Sequence, residues 1–335
     1  SLNLDVVACV IPTDDTIVTY ASKGYNVKPV DVSDITIHEE EKNSTEALIR
    51  GVASGLNKRG YNAGGFKCYA ESDVINGGGM SSSAAFEVLL GTIQNDLYNE
   101  GKVSTENVAK IGQFAENVYF MKASGLLDQM ACSVGSFAAM DFKDPADYGY
   151  DLIITDVKAS HADLSDEYSK VPLEMKAAAK VMGHEVLSEA TLDELFDHVK
   201  EIREQCGDRA FLRAYHFLNE TQRAHDEAEA LKKKDIKTFF QLVRESGRSS
   251  WMYLQNISVG SMPESQAVAI GLAISESVIH EDGAYRVHGG GFAGTIQAFV
   301  NKNTTEAFIE RMEKTFGKGC CYILRIRDVG GIRLA

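Results

Sequence analysis

One short run constrains this chain more than any other: three glycines lead through a methionine into three serines at positions 77–83. Apolar side chains then recur at every fourth position, at Ala85, Leu89, Ile93 and Leu97. This spacing predicts an amphipathic helix that begins near the serines and ends by Gly101. Glycines let a ligand approach the backbone closely, and the first amides of a helix have no intrahelical partner. The run therefore predicts a phosphate-binding loop, with serine hydroxyls available to a phosphate or a magnesium ion.

The pattern of this run excludes two common phosphate loops. The Walker loop requires a lysine after the glycines, and no lysine follows Gly79. The dinucleotide fingerprint requires a glycine where Ser82 stands. A flexible glycine–serine loop that binds no ligand remains the alternative interpretation.

The remaining pattern, Gly-x-Gly-hydrophobic-Ser-Ser-Ser-Ala-Ala, resembles the ATP loop of the GHMP small-molecule kinases. Ile75 stands where that family often has a proline. The resemblance implies a kinase that uses ATP and Mg²⁺. It also implies that the nucleotide lies along the whole loop, against Gly77, Gly78, Gly79, Met80, Ser81, Ser82, Ser83 and Ala84.

Length, charge and cysteine content limit the classes to which this chain can belong. Its 335 residues allow two domains, and its net charge of −14 disfavours nucleic acids and anionic membranes as partners. No apolar run approaches the roughly 20 residues of a membrane span. The six cysteines form no CxxC pair and no metal-like group with histidine. We therefore expect free thiols in a reducing compartment, the cytoplasm, and no membrane or nucleic-acid partner.

Before the glycine run, the sequence predicts the strands that lead to it. Residues 4–11 are predicted to form a buried strand, and residues 16–22 to form its hairpin partner across a Pro-Thr-Asp-Asp turn. Residues 32–38 have a weaker strand pattern, and residues 46–57 have helical spacing. Residues 65–71 are expected to form the strand that delivers the chain to the run.

After the first helix, a second helix is expected, capped by Ser104 or Thr105. Its apolar stripe consists of Val108, Ile111, Ala115 and Val118. Glu116 lies off that stripe, so the spacing alone favours a solvated carboxylate.

An aspartate between apolar residues follows at Asp128. By itself it could cap a helix; beside a phosphate loop, it could accept or steer the proton of a sugar hydroxyl. Residues 125–129, with Ser133, Gly135 and Asp141, resemble the galactokinase signature Gly-hydrophobic-hydrophobic-Asp-Gln…Ser…Gly…Asp. The resemblance implies that Asp128 is the catalytic carboxylate and that Gly125 and Asp128 bind the sugar. It further implies that Ser83 (or Ser82) and Glu116 are the magnesium ligands.

The second half of the chain has a different character. Residues 138–142 and 151–157 are predicted to form strands, and residues 322–327 a closing strand. Between them lie long, charged helical patterns, including residues 185–205 and 208–233.

Two further segments of this half carry site predictions. Tyr168 ends a Ser-Asp-Glu-Tyr segment that is similar to the galactokinase Ser-Glu-Tyr segment, which implies a contact with the sugar; a half-buried aromatic residue is the alternative. The glycines at 289–291 resemble the third GHMP motif, with Ala293 in place of one glycine. The resemblance places Gly290 and Gly291 beside ATP, although close backbone packing alone would also explain them. His288 is interpreted as a packing residue.

Together these resemblances imply an α+β, two-domain GHMP kinase fold. An N-terminal domain of the ribosomal protein S5 domain 2-like type would take residues 1–160, and a ferredoxin-like C-terminal domain residues 161–335. The implied reaction is ATP-dependent phosphorylation of galactose at its anomeric hydroxyl. Another hexose or an amino sugar, or a sensor that binds sugar and ATP without turnover, are the alternatives. The family's opening motif, with its arginine and His-Thr-Asp, is not found, so we expect a truncated and impaired chain of open oligomeric state.

Overall fold

The computed structural model describes residues 4–24, 27–74, 81–122, 124–135, 148–159, 164–327 and 329–334. Gly77, Gly78, Gly79 and Met80 of the predicted ATP loop lie outside these residues, as does the strand predicted at 138–142. The described residues form two compact units: the first holds those up to 74, from 81 to 135 and from 326 to 334, and the second those from 148 to 325. The domain division at residue 160 stays a proposal.

The first unit is built on a four-stranded sheet. Its strands are β1 (Val6–Pro12), β2 (Ile17–Ser22), β3 (Val30–Asp31) and β4 (Phe66–Ser72), in the order β1-β4-β2-β3. β4 is antiparallel to β1 and parallel to β2. The predicted hairpin between the first two strands is therefore wrong, because β4 lies between them.

The position of Gly65 explains how β4 enters between these strands. Gly65 accepts a hydrogen bond from the Thr13 N–H and donates one to the Asp15 carbonyl, so the turn after β1 passes directly over the start of β4. A Cβ atom at residue 65 would lie 2.5 Å from the Asp15 carbonyl oxygen. Only glycine permits this approach. The turn was predicted correctly, but its two flanking strands pair with a third.

The strand predicted at 32–38 is also wrong. Only Val30 and Asp31 pair with β2 in this region. The side chains of Asp31 and Asp34 accept hydrogen bonds from the N–H groups of Ser33 and Thr36, each two residues further on. Such Asx turns compete with the hydrogen bonds of a strand, which explains the irregular backbone.

Four α-helices complete the first unit: α1 (Thr45–Asn57), α2 (Ser82–Asn99), α3 (Thr105–Phe114) and α4 (Leu127–Val134). Ser44 caps α1 and Ser104 caps α3, each by accepting a hydrogen bond from a backbone N–H three residues on. The predicted helix start near the serines is confirmed. Of the predicted stripe, Ile93 is buried in the core, and Leu89 and Leu97 are partly buried and pack against it. The buried side of α2 also includes three polar residues, Glu87, Gln94 and Asn99.

A π-helical turn, Ala115–Tyr119, continues α3. The N–H of Phe120 bonds to the carbonyl of Ala115, five residues earlier, which changes the spacing of side chains relative to an α-helix. Glu116 lies in this turn and is 2% exposed. The expectation of a solvated carboxylate is therefore wrong, because α-helical spacing does not hold where Glu116 lies.

The second unit contains an antiparallel sheet in the order β6-β7-β5-β8. Its strands are β5 (Tyr150–Asp156), β6 (Gly283–Val287), β7 (Thr295–Asn301) and β8 (Cys321–Leu324). Its helices are α5 (Ser165–Val181), α6 (Leu192–Asp197), α7 (Val199–Cys206), α8 (Asp208–Lys232), α9 (Ile236–Ser249), α10 (Ala267–Ile279) and α11 (Thr305–Phe316). A π-helical turn, Ser250–Leu254, follows α9. The core of the second unit includes Ile153, Val287, Ile296, Ala298 and Phe308.

Most elements predicted in this half are confirmed, but residues 185–205 are not one helix. They form a short turn, α6 and α7. Thr191 and Glu194 make a capping box in which each side chain accepts a hydrogen bond from the other's backbone N–H, and this starts a new helix at Leu192. All six cysteines are free thiols, as predicted. Among the described residues, no helix has both the length and the apolar character of a membrane span.

Candidate active site

Asp128 and Ser81 lie together in the first unit. Asp128 occupies the first turn of α4 and is exposed, and no side chain caps that helix, so the capping interpretation of Asp128 is wrong. The Ser81 hydroxyl donates a hydrogen bond of 2.5 Å to Asp128 Oδ2. Ser81 has φ of 52° and ψ of 50°, a left-handed conformation that is uncommon outside glycine. Such backbone strain is concentrated at functional sites.

The residues after Ser81 form the start of α2. Ser82, Ser83 and Ala84 are in its first turn, where backbone N–H groups have no intrahelical carbonyl partner. The Ser83 hydroxyl donates a hydrogen bond of 2.8 Å to Glu116 Oε1. The structure therefore brings Ser83 and Glu116 together, as the resemblance implied.

Two residues that the sequence analysis did not select, Glu87 and Gln129, complete a group that we call the buried carboxyl cluster: Glu87, Glu116 and Gln129. The Gln129 side-chain amide donates one hydrogen bond to Glu87 Oε2 and one to Glu116 Oε2, both of 2.9 Å. Glu87 and Gln129 are fully buried. Glu87 lies one helical turn after Ser83, a spacing that places the two residues on one face and could have identified it.

A single cation reaches Glu116 within the described residues. Lys122 Nζ lies 3.0 Å from Glu116 Oε1, but the lysine side chain is 58% exposed. Burial would raise the pKa of Glu116, but hydrogen bonds from Ser124 and Ser83 and the charge of Lys122 outweigh it and leave that pKa below its ordinary value. Burial and the charge of Glu116 raise the pKa of Glu87 to about 9. These opposite shifts favour a neutral Glu87 beside an ionised Glu116.

The oxygen atoms of Ser83 and Glu116 fit Mg²⁺. Magnesium prefers hard oxygen ligands, and in phosphoryl-transfer sites it is held by one or two protein groups together with substrate phosphates. A hydroxyl and an ionised carboxylate, 2.8 Å apart beside a helix start, match that requirement. The expected roles of Ser83 and Glu116 as ligands stay predictions.

The predicted residues of the second unit also lie together. Tyr168 donates a hydrogen bond from its hydroxyl to the Gly291 carbonyl, and the Asn256 amide donates one to the Gly290 carbonyl. A Cβ atom on Gly290 would lie 2.6 Å from the Tyr168 ring, and Gly291 has φ of +77°. Glycine is therefore needed at position 290 by the closeness of the Tyr168 ring and at position 291 by the backbone conformation. Asn256, fully enclosed beside this loop, carries no sequence signal that would have selected it.

Tyr168 packs as a half-buried aromatic residue. Its ring meets that of Phe292 edge to face at 5.4 Å between centroids, and burial raises the pKa of its hydroxyl to about 12. Gly125 is exposed, and apart from its two chain neighbours no atom of the described residues lies within 4 Å of the position of its missing Cβ. Contacts of Tyr168 and Gly125 with a sugar, and of Gly290 and Gly291 with ATP, stay predictions.

Comparison with known proteins identifies relatives of this chain. The model of the GHMP kinases N terminal domain matches residues 47–136. Galactokinase from Clostridium tetani is 28% identical over 332 residues, which cover 95% of this chain and 82% of that protein. Galactokinase from Streptomyces coelicolor is 27% identical over 322 residues, covering 92% of this chain and 80% of that protein. These matches confirm the resemblance found in the motifs.

Solved structures share the fold. Lactococcus lactis galactokinase, crystallised with galactose, matches with a TM-score of 0.83 at 20% identity, covering 100% of this chain and 88% of that one. A mevalonate kinase matches with a TM-score of 0.61 at 16% identity, covering 98% of this chain and 91% of that one. The predicted α+β, two-domain fold is confirmed.

Proposed function

Residues 47–136 match the GHMP kinases N terminal domain, and from that premise we propose that this chain is a GHMP kinase that transfers the terminal phosphoryl group of ATP to the anomeric hydroxyl of galactose. The observation that carries the proposal is the pair of contacts at the start of α2: Ser81 with Asp128, and Ser83 with Glu116. One pair presents a carboxylate to a substrate proton, and the other presents oxygen ligands to a cation. Phosphoryl transfer requires both beside bound phosphates.

The residues of the first unit have separate tasks in this reaction. The free N–H groups of the first turn of α2, at Ser82, Ser83 and Ala84, bind phosphate oxygens. Ser83 and Glu116 would hold Mg²⁺, which when bound neutralises the charge that develops on the phosphoryl oxygens. Asp128 is exposed and accepts or steers the proton of the attacking hydroxyl. Ser81 orients that carboxylate through its hydrogen bond.

Galactose is the sugar that the relatives support best. The galactokinases of both organisms align with more than nine tenths of this chain. The proposal includes a cytoplasmic location and excludes nucleic acid and membrane as partners. The net charge of −14 disfavours polyanions, and six free thiols suit a reducing compartment.

A coupled assay of ADP release tests this proposal. We expect ADP release that depends on galactose and Mg²⁺, with the phosphate of the product on the anomeric oxygen by phosphorus NMR. The sugar 1-deoxygalactose, which lacks the attacking hydroxyl, is the matched control and should release no ADP. Release with an amino sugar or another hexose but not with galactose would replace the proposed substrate, and no release with any sugar would reject the reaction.

The proposed role of Asp128 as proton acceptor can be tested by a single substitution. Asp128→Asn keeps the size of the side chain but removes the proton acceptor, so kcat should fall by about 10²–10⁴-fold. ATP affinity and the thermal midpoint should stay those of the wild type, because the Asp128 side chain is exposed and, among the described residues, hydrogen-bonds to Ser81 alone. Wild-type kcat in the folded variant would remove Asp128 from the mechanism.

A further inference from the structure

The buried carboxyl cluster contains more than the proposed reaction uses. Glu116 Oε1 accepts hydrogen bonds from Ser83 and Lys122, whereas Glu116 Oε2 accepts one from Gln129. Oε1 therefore faces the predicted cation site, and Oε2 is bound by a buried side chain. Gln129 in turn bonds to Glu87, which has no part in the reaction.

We propose that Gln129 and Glu87 are positioning residues for Glu116: Gln129 fixes the Glu116 carboxylate by its inner oxygen, and Glu87 anchors Gln129 from the opposite side. The inference rests on the proposed function, because Glu116 acts there as a cation ligand. The outer oxygen is thereby presented toward Ser83 before any metal–nucleotide complex binds. The inner restraint is buried, so it is stronger than that of the exposed Lys122.

The chemistry of an amide suits this position. A glutamine side chain has two N–H donors on one nitrogen, and both are used here, one on each carboxyl group. A third carboxylate would repel both neighbours, and an aliphatic side chain would leave two buried oxygens without donors. Carboxyl oxygens left unpaired in a protein interior are costly, so the amide both holds Glu116 and permits its burial.

Glu87 anchors this amide without adding a second negative charge beside Glu116. Its Oε1 atom is buried and has no hydrogen-bond partner among the described residues, which suits a neutral acid and not a carboxylate. Burial also raises its pKa to about 9. Gly112 of α3 leaves the space for this group, since a Cβ there would lie 3.1 Å from Glu87 Oε2.

Four variants of the full chain test the inference. Gln129→Leu removes the restraint, Glu87→Leu removes its anchor, and Glu87→Gln keeps a neutral acceptor of the same shape. Gln94→Leu is the matched control, because Gln94 is also buried on α2 and exchanges two hydrogen bonds with Gly64, away from Glu116. The readouts are calorimetric binding of Mn²⁺–ATP and of ATP alone, the Mg²⁺ concentration for half-maximal kcat, and unfolding in denaturant.

We expect Gln129→Leu and Glu87→Leu to weaken Mn²⁺–ATP binding and to raise the Mg²⁺ requirement by about 10–100-fold, the range found when residues that orient a metal ligand are replaced. Binding of ATP alone should not change. Glu87→Gln should behave as the wild type, and Gln94→Leu should lose stability without any change in metal dependence.

The inference is overturned if folded Gln129→Leu binds Mn²⁺–ATP as the wild type does, or if Gln94→Leu weakens that binding equally. Where Gln129→Leu does not fold, Glu87→Leu decides by the same titration. A wild-type protein that binds Mn²⁺–ATP without phosphorylating any sugar, while Gln129→Leu loses that binding, would reject the reaction but keep the positioning role. If the wild type is active and Gln129→Leu binds Mn²⁺–ATP as the wild type does, the reaction is supported and the positioning role is rejected.

Discussion

The two units bury ionisable groups in opposite ways. In the first unit, Glu87 and Glu116 share one amide, and Lys122, the one cation that pairs with Glu116 among the described residues, is exposed. In the second unit, the fully buried Arg213 bonds to Glu174, which also binds Arg209 through both carboxylate oxygens.

This difference in the pairing of charges distinguishes the two clusters: the arginine network has a structural role, and the carboxyl cluster is a candidate cation site. Hydrogen bonds and the charges of Arg209 and Arg213 outweigh burial and lower the pKa of Glu174, so that every charge in that network faces an opposite one. The network joins α5 to α8 and, through a bond from Arg213 to the Leu254 carbonyl, to the turn after α9. Within the described part of the chain, the carboxyl cluster holds an anion whose one cationic partner, Lys122, is exposed. An interior that is locally acidic in this way is suited to a cation that arrives with the substrate.

Breaking the arginine network should have the largest effect on stability. Glu174→Leu leaves Arg213 buried without its carboxylate, so the free energy of unfolding should fall by about 3 kcal/mol. Arg209→Met removes only a partly exposed partner and should cost less than about 1 kcal/mol. Denaturant unfolding measures both. The Mg²⁺ dependence of the folded Glu174→Leu protein should equal that of the wild type; a raised requirement would contradict the separation between the two clusters.

The charge state of Glu87 can be tested by pH. Its pKa is raised from 4.5 unfolded to about 9 folded, so its contribution to stability is complete below pH 4.5 and is lost as pH rises toward 9. Glu87→Gln does not titrate. The unfolding free energy of the wild type minus that of Glu87→Gln should therefore fall by about 2–3 kcal/mol between pH 6 and pH 8.

The neighbours of Glu87 do not obscure this window. The negative charge of Glu116 acts to raise the pKa of Glu87, as does that of Asp128, while the Gln129 hydrogen bond and Lys122 act to lower it. The lowered pKa of Glu116 keeps that group ionised throughout. If the difference in unfolding free energy between wild type and Glu87→Gln does not change from pH 6 to pH 8, Glu87 is already charged at pH 6. The carboxyl cluster would then hold two anions, and its contrast with the paired charges around Glu174 would be different from the one described above.

The smallest effect is expected at Lys122. Lys122→Met removes the cation that competes with a metal for Glu116 Oε1, so the Mg²⁺ concentration for half-maximal kcat should fall by up to about 3-fold, the scale of an exposed ion pair. Lys170→Met, which removes an exposed pair with Glu167 in the second unit, should leave it unchanged. A rise in the Mg²⁺ requirement of Lys122→Met would instead assign this lysine to phosphate binding.

The sequence by itself determined the features that depend on neighbouring residues. Helix α2 begins at Ser82, three residues after the glycine run ends at Gly79, because helical spacing of apolar residues begins there. Ser104 caps α3 because its hydroxyl needs only a backbone N–H three residues on. The motifs around Ser83 and Asp128 likewise lie within single short segments, so the family resemblance could be read from the sequence, and the roles of these two residues stay predictions.

Only the tertiary structure decided which of these segments meet. The insertion of β4 between β1 and β2 depends on Gly65, some fifty residues after the turn that it passes beneath. The burial of Glu116 depends on a π-helical turn and on Gln129 from another helix. Helical periodicity describes one helix in isolation, whereas burial and the pKa values of Glu87 and Glu116 arise from atoms of several helices. The chain order places those atoms far apart, and only packing brings them within hydrogen-bond distance.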